Sequence, residues 1–126
     1  MQARSEPIAD TVVVGGGPAG LMAAIYLARF RRSVVLVDAG QSRVEKIPRS
    51  HNYPGFADGI SGAKVRDMLR AQLRGYPVRI VETFVERAER TPDGFRLATQ
   101  EGPIAGRRLL LATGVTDIPP AMPHVR

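Results

Sequence analysis

Four short apolar runs along the chain predict the strands of a buried sheet. Residues 10–15 (DTVVVG) and 34–37 (VVLV) are almost wholly apolar, which is typical of parallel strands covered on both faces. Residues 78–81 predict a third strand, and the apolar residues 109–112 predict a last strand that returns to the core. We therefore expect a sheet made mainly of parallel strands.

Two stripes of apolar residues at helical spacing lie between these strands. The first helix is expected to begin at Pro18, because proline loses nothing at the first helical position, where its missing N–H has no partner anyway. Arginines at 29, 31 and 32 mark its expected end, although no glycine follows to cap it. Its apolar positions are Leu21, Ala24, Ile25 and Ala28.

The second helix is expected to begin after Ser61, a good N-cap residue, and to end before Gly75 and Pro77. Its predicted apolar face consists of Val65, Met68, Leu69 and Leu73. Residues 1–9 are expected to form a loose arm, and residues 39–59 a long irregular connection, which in a compact domain is usually functional.

Turn signals at residues 92–94 (PDG) and 101–103 (EGP) separate short strand-like pieces and predict a small antiparallel meander. The meander would be an insertion between the third strand and the last. The remaining strand and helix order is βαβαβ, whose right-handed crossovers place the strands in one parallel sheet. The predicted fold class is therefore α/β, a Rossmann-like parallel sheet with a small antiparallel meander insertion.

The composition excludes several kinds of cysteine and metal chemistry. The 126 residues suffice for one domain and contain no cysteine, which excludes disulfides, thiolate metal sites and dithiol chemistry within this chain. No metal is expected, because His51 and His124 are the only histidines and no carboxylates accompany them at metal-site spacing. With no long apolar run and no apolar leader, we expect a cytoplasmic protein without a membrane partner.

The net charge of +6 comes from arginines that are scattered singly or in pairs. No basic run is interleaved with aromatic residues, so a nucleic-acid partner is not expected. A basic protein that binds nucleic acid and contains a glycine-rich turn by chance is therefore the least favoured hypothesis, behind the two nucleotide-binding hypotheses given below.

The stretch VVVGGGPAG (residues 12–20) carries the clearest chemistry. Gly15, Gly17 and Gly20 form the pattern G-x-G-x-x-G directly after a predicted strand and at the start of a predicted helix, the context in which it marks a dinucleotide site. Gly15 allows the tight turn, Gly17 lets the backbone approach a pyrophosphate, and Gly20 lets the helix pack close to the sheet. Because Pro18 has no N–H, the expected phosphate donors are the N–H groups of Ala19 and Gly20.

Asp38 ends the second predicted strand about twenty residues beyond the glycines, where an acid bonds the ribose hydroxyls of a dinucleotide. Its charge would repel a 2′-phosphate, which argues against NADP. The glycine pattern and the acid do not by themselves distinguish FAD from NAD.

Four motifs in order resemble the FAD domain of thioredoxin-reductase-like flavoproteins, within the pyridine nucleotide–disulfide oxidoreductases. They are VVVGGGPAG, LVDAGQSR, HNYPGF with GISG, and LLLATG, and the resemblance extends from about residue 10 to residue 120. It implies that FAD is the cofactor and that residues 1–120 are an FAD-binding domain. Residues 121–126 would begin a linker to an NADPH domain.

The resemblance also implies roles for matching residues. Asp38 and the glycine loop would hold the ADP half of FAD, and Arg43 would pair with phosphate charge. Asn52 would approach the flavin ring, and the backbone of Val85 would reach the adenine. The other residues implied to lie along the cofactor are Ala39, Gly40, Gln41, Ser42, Ala112, Thr113 and Gly114. His51 beside Asn52 is a weaker candidate for proton transfer.

The family's full chain adds an NADPH domain, a Cys-x-x-Cys in one branch, and a returning Gly-Asp segment near the flavin. None of these occurs in the 126 residues. We therefore expect FAD binding without complete NADPH-dependent disulfide reduction, unless a second chain or a further domain supplies the NADPH site. A homodimer is a further possible partner arrangement. The alternative is a standalone module that binds NAD, FAD or ADP without turnover.

Overall fold

The computed structural model describes residues 7–123, which form one six-stranded sheet and two α-helices. The strands are β1 (Ile8–Val14), β2 (Val34–Val37), β3 (Arg79–Val81), β4 (Val85–Thr91), β5 (Gly94–Thr99) and β6 (Ile104–Leu111). The helices are α1 (Pro18–Arg29) and α2 (Gly62–Leu73), and a short 3₁₀ helix spans Arg43–Lys46.

The strand order across the sheet is β3-β2-β1-β6-β5-β4. Strand β1 pairs in parallel with β2 and with β6, and β2 pairs in parallel with β3. Strands β4, β5 and β6 form an antiparallel meander at the other side of the sheet. This topology confirms the predicted Rossmann-like α/β fold with its meander between the third strand and the last.

The last strand is longer than the sequence pattern indicated. It was expected at residues 109–112, but β6 begins at Ile104 and ends at Leu111. Its first residues pair with β5, and nearly its whole length pairs with β1. Two exposed arginines, Arg107 and Arg108, interrupt the apolar pattern and hid the first half of the strand. One strand therefore belongs both to the meander and to the parallel sheet.

Apolar side chains cover the sheet on both faces. Val13 and Leu36 point to the face that packs on α1 and α2, and Val12 and Val35 point to the opposite face, where Leu97 of β5 covers them. This alternation is the period-two pattern of a strand buried on both sides. The helices and the meander thus cover different faces, which explains why β1 and β2 are apolar at nearly every position.

Helix α1 ends in a left-handed residue where the sequence lacks a glycine. Arg31 has a φ of 58°. Its N–H donates to Ala28 O (2.9 Å), and the N–H of Arg32 donates to Leu27 O (3.1 Å). These two bonds form a Schellman cap, which normally places glycine at the left-handed position. Arg31 therefore adopts a left-handed conformation that is sterically unfavourable for a residue with a β-carbon.

Helix α2 begins as expected, because the Ser61 hydroxyl accepts the N–H of Lys64 (3.2 Å). Val65, Leu69 and Leu73 are buried, but Met68 was wrongly assigned to the apolar face and is exposed. At 100° per residue, position 68 lies at the margin of a stripe centred on the other three, so the sheet does not cover it.

Two segments predicted as irregular contain regular structure. The loose arm was expected to reach residue 9, but β1 begins at Ile8. The connection at residues 39–59 contains the 3₁₀ helix Arg43–Lys46, and Ser50 forms an antiparallel bridge with Ile60. Residues 1–6 of the predicted arm and residues 124–126 of the predicted linker lie outside the described residues, as does His124.

Asp10 and Ser33 join the start of β1 to the start of β2. The N–H of Asp10 donates to Ser33 Oγ (2.7 Å), and the N–H of Ser33 donates to Asp10 Oδ2 (2.8 Å). The backbone bond from Ser33 is the main cause that lowers the pKa of Asp10. Desolvation opposes it, and the Ser33 hydroxyl, Arg32 and Arg107 lower the pKa further.

Within the described part of the chain, no helix is long and apolar enough to cross a membrane.

Candidate functional site

The turn from β1 into α1 lies between the ends of two other strands. The N–H of Gly15 donates to Val37 O of β2 (2.9 Å), and the N–H of Ala112, just after β6, donates to Val14 O (2.8 Å). Gly15 has a φ of 121°, and the carbonyl of Ala112 occupies the position that a β-carbon at residue 15 would take. The positive φ and the nearby carbonyl each require glycine at residue 15.

Helix α1 presents free N–H groups at this turn. Gly17 is the N-cap, Pro18 is the first helical residue, and the first helical bond runs from the N–H of Leu21 to Gly17 O (2.9 Å). The N–H groups of Ala19 and Gly20 precede that bond, so the helix provides no carbonyl for them. These are the donors that the sequence indicated for an anion at the helix N-terminus.

A cleft of about 580 Å³ opens at this edge of the sheet. Its walls come from the glycine loop, the segment after β2, the segment between β3 and β4, and the segment after β6. The residues singled out from the sequence that line it are Gly15, Gly17, Pro18, Ala19, Asp38, Ala39, Gln41, Ser42, Arg43, Val85, Ala112, Thr113 and Gly114. Residues separated by most of the chain thus meet at one surface.

Four of the sequence-derived residues do not line the cleft. Gly20 is buried beneath it, against the carbonyl of Gly15, and Gly40 donates its N–H to Asp38 Oδ1 (2.8 Å). Asn52 is exposed, and its Oδ1 accepts the Ser50 hydroxyl (2.7 Å). His51 is exposed beside it. A role for Asn52 at the flavin therefore stays a prediction, as does proton transfer by His51.

Asp38 is almost completely buried, with an exposed fraction of 3%. Its Oδ2 lies 3.0 Å from Nη2 of Arg66 and 3.4 Å from Nη2 of Arg70, both on α2. The sequence analysis treated Asp38 as a free charge that would repel a 2′-phosphate, whereas two guanidinium groups compensate it in the structure. Repulsion between an isolated carboxylate and a 2′-phosphate therefore does not by itself exclude NADP.

Arg43 forms an ion pair with Asp117 (Nε to Oδ2, 2.9 Å), and more than half of each side chain is exposed. The pair connects the loop after β2 to the tail after β6 at the mouth of the cleft. An exposed pair of this kind contributes little to stability and exchanges readily with another anion. The pair engages Nε of Arg43, so the prediction that this guanidinium contacts a phosphate through its Nη groups is compatible with the pair.

The sequence analysis missed several residues of the cleft. Gly16 packs against the carboxyl group of Asp38, and Thr83 and Phe84 precede Val85 at the same edge. Thr116 lines the cleft beyond Gly114. The triple glycine was a signal for Gly16, since the fingerprint leaves that position open. Thr83 and Phe84 could have been found from their place directly after β3, where parallel strands present ligand sites.

Among the described residues, no group of three or more histidine, aspartate or glutamate side chains could hold a metal ion. The glycine loop, the free N–H groups and the buried acid instead define the site of an α/β domain of the FAD/NAD(P)-binding, Rossmann-like class.

Comparison with known proteins gives the family. The sequence model described as pyridine nucleotide-disulphide oxidoreductase matches residues 9–126, and the chain belongs to that family. It is 37% identical over 116 residues to the thioredoxin reductase tcpT of Claviceps purpurea, covering 88% of this chain and 36% of that protein. It is 31% identical to the NADPH-dependent thioredoxin reductase 3 of Arabidopsis thaliana, covering 88% of this chain and 22% of that protein.

Solved structures agree with the sequence comparisons. The crystal structure of an oxidoreductase from Agrobacterium tumefaciens superposes with a TM-score of 0.84 at 34% identity, covering 94% of this chain and 41% of that one. A thioredoxin reductase from Gloeobacter violaceus gives a TM-score of 0.82 at 30% identity, covering 91% and 37%. The chain is therefore a thioredoxin-reductase-like member of its family and spans well under half the length of these relatives.

Proposed function

We propose that this chain binds FAD and forms the FAD-binding part of a thioredoxin-reductase-like flavoprotein oxidoreductase. The cleft carries the proposal, because it brings the glycine loop, Asp38, Val85 and Ala112 to one place. Strand β1 lies between β2 and β6, so the cleft is at the point where the strand order reverses. Nucleotides bind at such points, outside the carboxyl ends of the strands.

The ADP half of the cofactor has a complementary surface. The pyrophosphate would lie against Gly17 and receive the N–H groups of Ala19 and Gly20. The ribose would reach Asp38, and the adenine would pack on the apolar surface of Phe84 and Val85. Gly17 leaves room for this because its neighbour across the cleft is only the Ser42 hydroxyl. The residues present therefore match the group, and flavin, once bound, would supply the hydride and electron chemistry.

The finer assignments rest on the family. Residues 1–120 would be the FAD-binding domain, and residues 121–126 the start of a linker to an NADPH domain. Asn52 would approach the flavin ring, and Thr113 and Gly114 would pass the cofactor on the other side. The NADPH site and the electron acceptor would come from a further domain or a second chain, and the protein could also form a homodimer. NADPH-dependent disulfide reduction is then a property of the assembly and not of these residues alone.

The test is FAD titration of the chain and of its Gly17→Ala variant, followed by flavin absorbance after removal of free cofactor. A β-carbon at residue 17 would stand 2.9 Å from Ser42 Oγ, which can rotate away, and residue 17 has an ordinary φ of −83°. We therefore expect the variant to fold normally while the added methyl group obstructs the pyrophosphate. Gly75→Ala is the matched control, because its nearest neighbour is 3.4 Å away and it lies outside the cleft.

The expected result is yellow wild-type and Gly75→Ala protein, with an affinity loss of about tenfold or more for Gly17→Ala, the cost of one blocked charge-assisted contact. A wild-type chain that stays colourless and shows no change in melting temperature with FAD would overturn the proposal. Equal binding by all three proteins would place the cofactor elsewhere.

A second candidate is a module that binds NAD, FAD or ADP without turnover. The position of Asn52 favours it, because the cleft contains the surface for an ADP half while Asn52 lies outside. Titration with ADP, NAD and FAD separates the two hypotheses. Affinity that rises from ADP to FAD but not from ADP to NAD supports the flavoprotein, and equal affinities support the module.

A further inference from the structure

The carboxylate of Asp38 is fixed from three sides. Its Oδ1 accepts the N–H of Gly40 at 2.8 Å, and its Oδ2 receives Nη2 of Arg66 at 3.0 Å and, more weakly, Nη2 of Arg70 at 3.4 Å. On the remaining side the carboxyl group lies against the backbone of Gly16, where any β-carbon would collide with it. A side chain held in this way has one orientation.

The two arginines are themselves largely buried, with exposed fractions of 15% for Arg66 and 18% for Arg70. They lie four residues apart on α2 and so share one face of that helix. Each also has a second carboxylate partner: Arg66 bonds Glu45 Oε1 at 2.6 Å, and Arg70 approaches Glu82 Oε1 at 3.5 Å. Two cations therefore serve three carboxylates. The Nη groups of both arginines are paired with acids, while the buried Nε of Arg66 has no hydrogen-bond partner.

An arginine beside the acid that binds the ribose can have one of two roles. An arginine with free N–H groups would receive a 2′-phosphate. Arg66 and Arg70 instead have carboxylate partners, and a buried carboxylate requires such compensation. A carboxylate accepts about four hydrogen bonds, and Asp38 accepts two here, from Gly40 and Arg66, besides its ion pair with Arg70. The acceptor capacity that remains is available to a donor from the cleft, which Asp38 lines. It suits a hydroxyl, which donates a proton, and disfavours a 2′-phosphate, which is mostly a dianion at neutral pH.

We propose that Arg66 and Arg70 are positioning residues for the adenosine ribose, which hold Asp38 so that its free acceptor position meets a ribose hydroxyl. Helix α2 is then part of nucleotide recognition although it contributes no residue to the cleft wall. Through Glu45, Arg66 also connects the ribose position to the 3₁₀ helix Arg43–Lys46. The inference rests on the proposed function and adds a specificity for an unphosphorylated ribose.

The test compares ADP with 2′-deoxy-ADP and with 2′-phospho-ADP, titrated into the chain by NMR. The variants are Arg66→Met and Arg66→Lys. Arg74→Met, at the C-cap of the same helix, is the control, since Arg74 has no ion pair with Asp38. The ratio of the ADP and 2′-deoxy-ADP affinities isolates the hydroxyl contact, because a general loss of structure weakens both ligands alike.

In the wild type we expect ADP to bind about tenfold more tightly than 2′-deoxy-ADP, the value of a hydrogen bond to a charged acceptor. Arg66→Met should bring this ratio close to one, Arg66→Lys should recover most of it, and Arg74→Met should leave it unchanged. 2′-Phospho-ADP should bind more weakly than ADP to the wild type.

A ratio that Arg66→Met does not change would overturn the inference and leave FAD binding intact. Tighter binding of 2′-phospho-ADP that Arg66→Met abolishes would overturn it in favour of a phosphate site. If Arg66→Met did not fold, Arg70→Met, which keeps Arg66 paired with Asp38, would decide the question: a ratio equal to that of the wild type would overturn the inference. A wild type that binds neither ADP nor FAD would overturn the proposed function itself.

Discussion

The carbonyl oxygen of Gly15 occupies the position where a β-carbon on residue 20 would stand. The first turn of α1 therefore rests directly on the backbone that leaves β1, and the helix N-terminus is brought to the cleft. This contact between two backbones, one in a turn and one in a helix, determines where any anion would bind.

Gly20→Ala should lower the free energy of unfolding by about 1–3 kcal/mol, the usual cost of forcing an extra carbon into a packed site. The obstructing atom is a backbone carbonyl, which cannot rotate aside, so α1 must move away from β1. Urea denaturation measures the loss, with Gly75→Ala as the matched control because the β-carbon there has ordinary contacts. Equal stability of Gly20→Ala and wild type would contradict the packing described.

Arg31→Gly should raise the free energy of unfolding by about 0.5–1 kcal/mol. Arg31 is exposed and has a φ of 58°, a conformation that costs an ordinary residue about 1–2 kcal/mol. Glycine avoids this cost, but it also increases the conformational entropy of the unfolded chain, which offsets part of the gain. Arg31→Ala removes the same charge but keeps the β-carbon, so its melting temperature should not rise. A similar rise in both variants would assign the effect to charge.

Asp10 should contribute an acid-sensitive part of the stability. Its pKa is lower in the folded chain than its ordinary value of 3.8, so the carboxylate favours folding above that pH. The contribution is lost as the pH falls below 3.8 and through the lower folded pKa. The stability difference between wild type and Asp10→Asn should therefore shrink over this range in urea titrations at successive pH values. A stability difference that stays constant over this range would contradict the prediction.

Leu97→Ala should lower the free energy of unfolding by about 2–5 kcal/mol, the range for removing a fully buried leucine side chain. Leu97 has an exposed fraction of 0% and is the residue of β5 that joins the core on the meander side. Leu111→Ala makes the same change at a position 68% exposed and should alter stability by less than about 0.5 kcal/mol. Comparable losses would show that the meander does not form a core of its own.

Much of the fold could be predicted because the local signals and the tertiary structure agree. Strand β2 was placed at its observed residues, since all four side chains are buried and hence apolar. The start of α1 at Pro18 and the cap at Ser61 depend on neighbouring residues only, so the sequence contains them directly. The glycine fingerprint likewise lies in a single stretch.

The rest depends on contacts between distant residues. The first half of β6 could not be recognised, because Arg107 and Arg108 face solvent where the strand joins the meander. The partners of Asp38 lie 28 and 32 residues further on, in a helix whose arginines resemble any solvated face. Thr83 and Phe84 join the cleft only because β3 ends beside β2. Periodicity indicates which side of an element is buried, but not which charges meet there.

The packing of Gly15 against Ala112 has a consequence for the order of events during synthesis. The glycine loop leaves the ribosome well before its neighbour Ala112, which follows β6. Pairings between such distant residues form slowly, because a long loop must close first. The nucleotide site cannot be complete before the segment after β6 has emerged, and until β6 is inserted β1 exposes one unpaired edge on which chaperones or other chains can act.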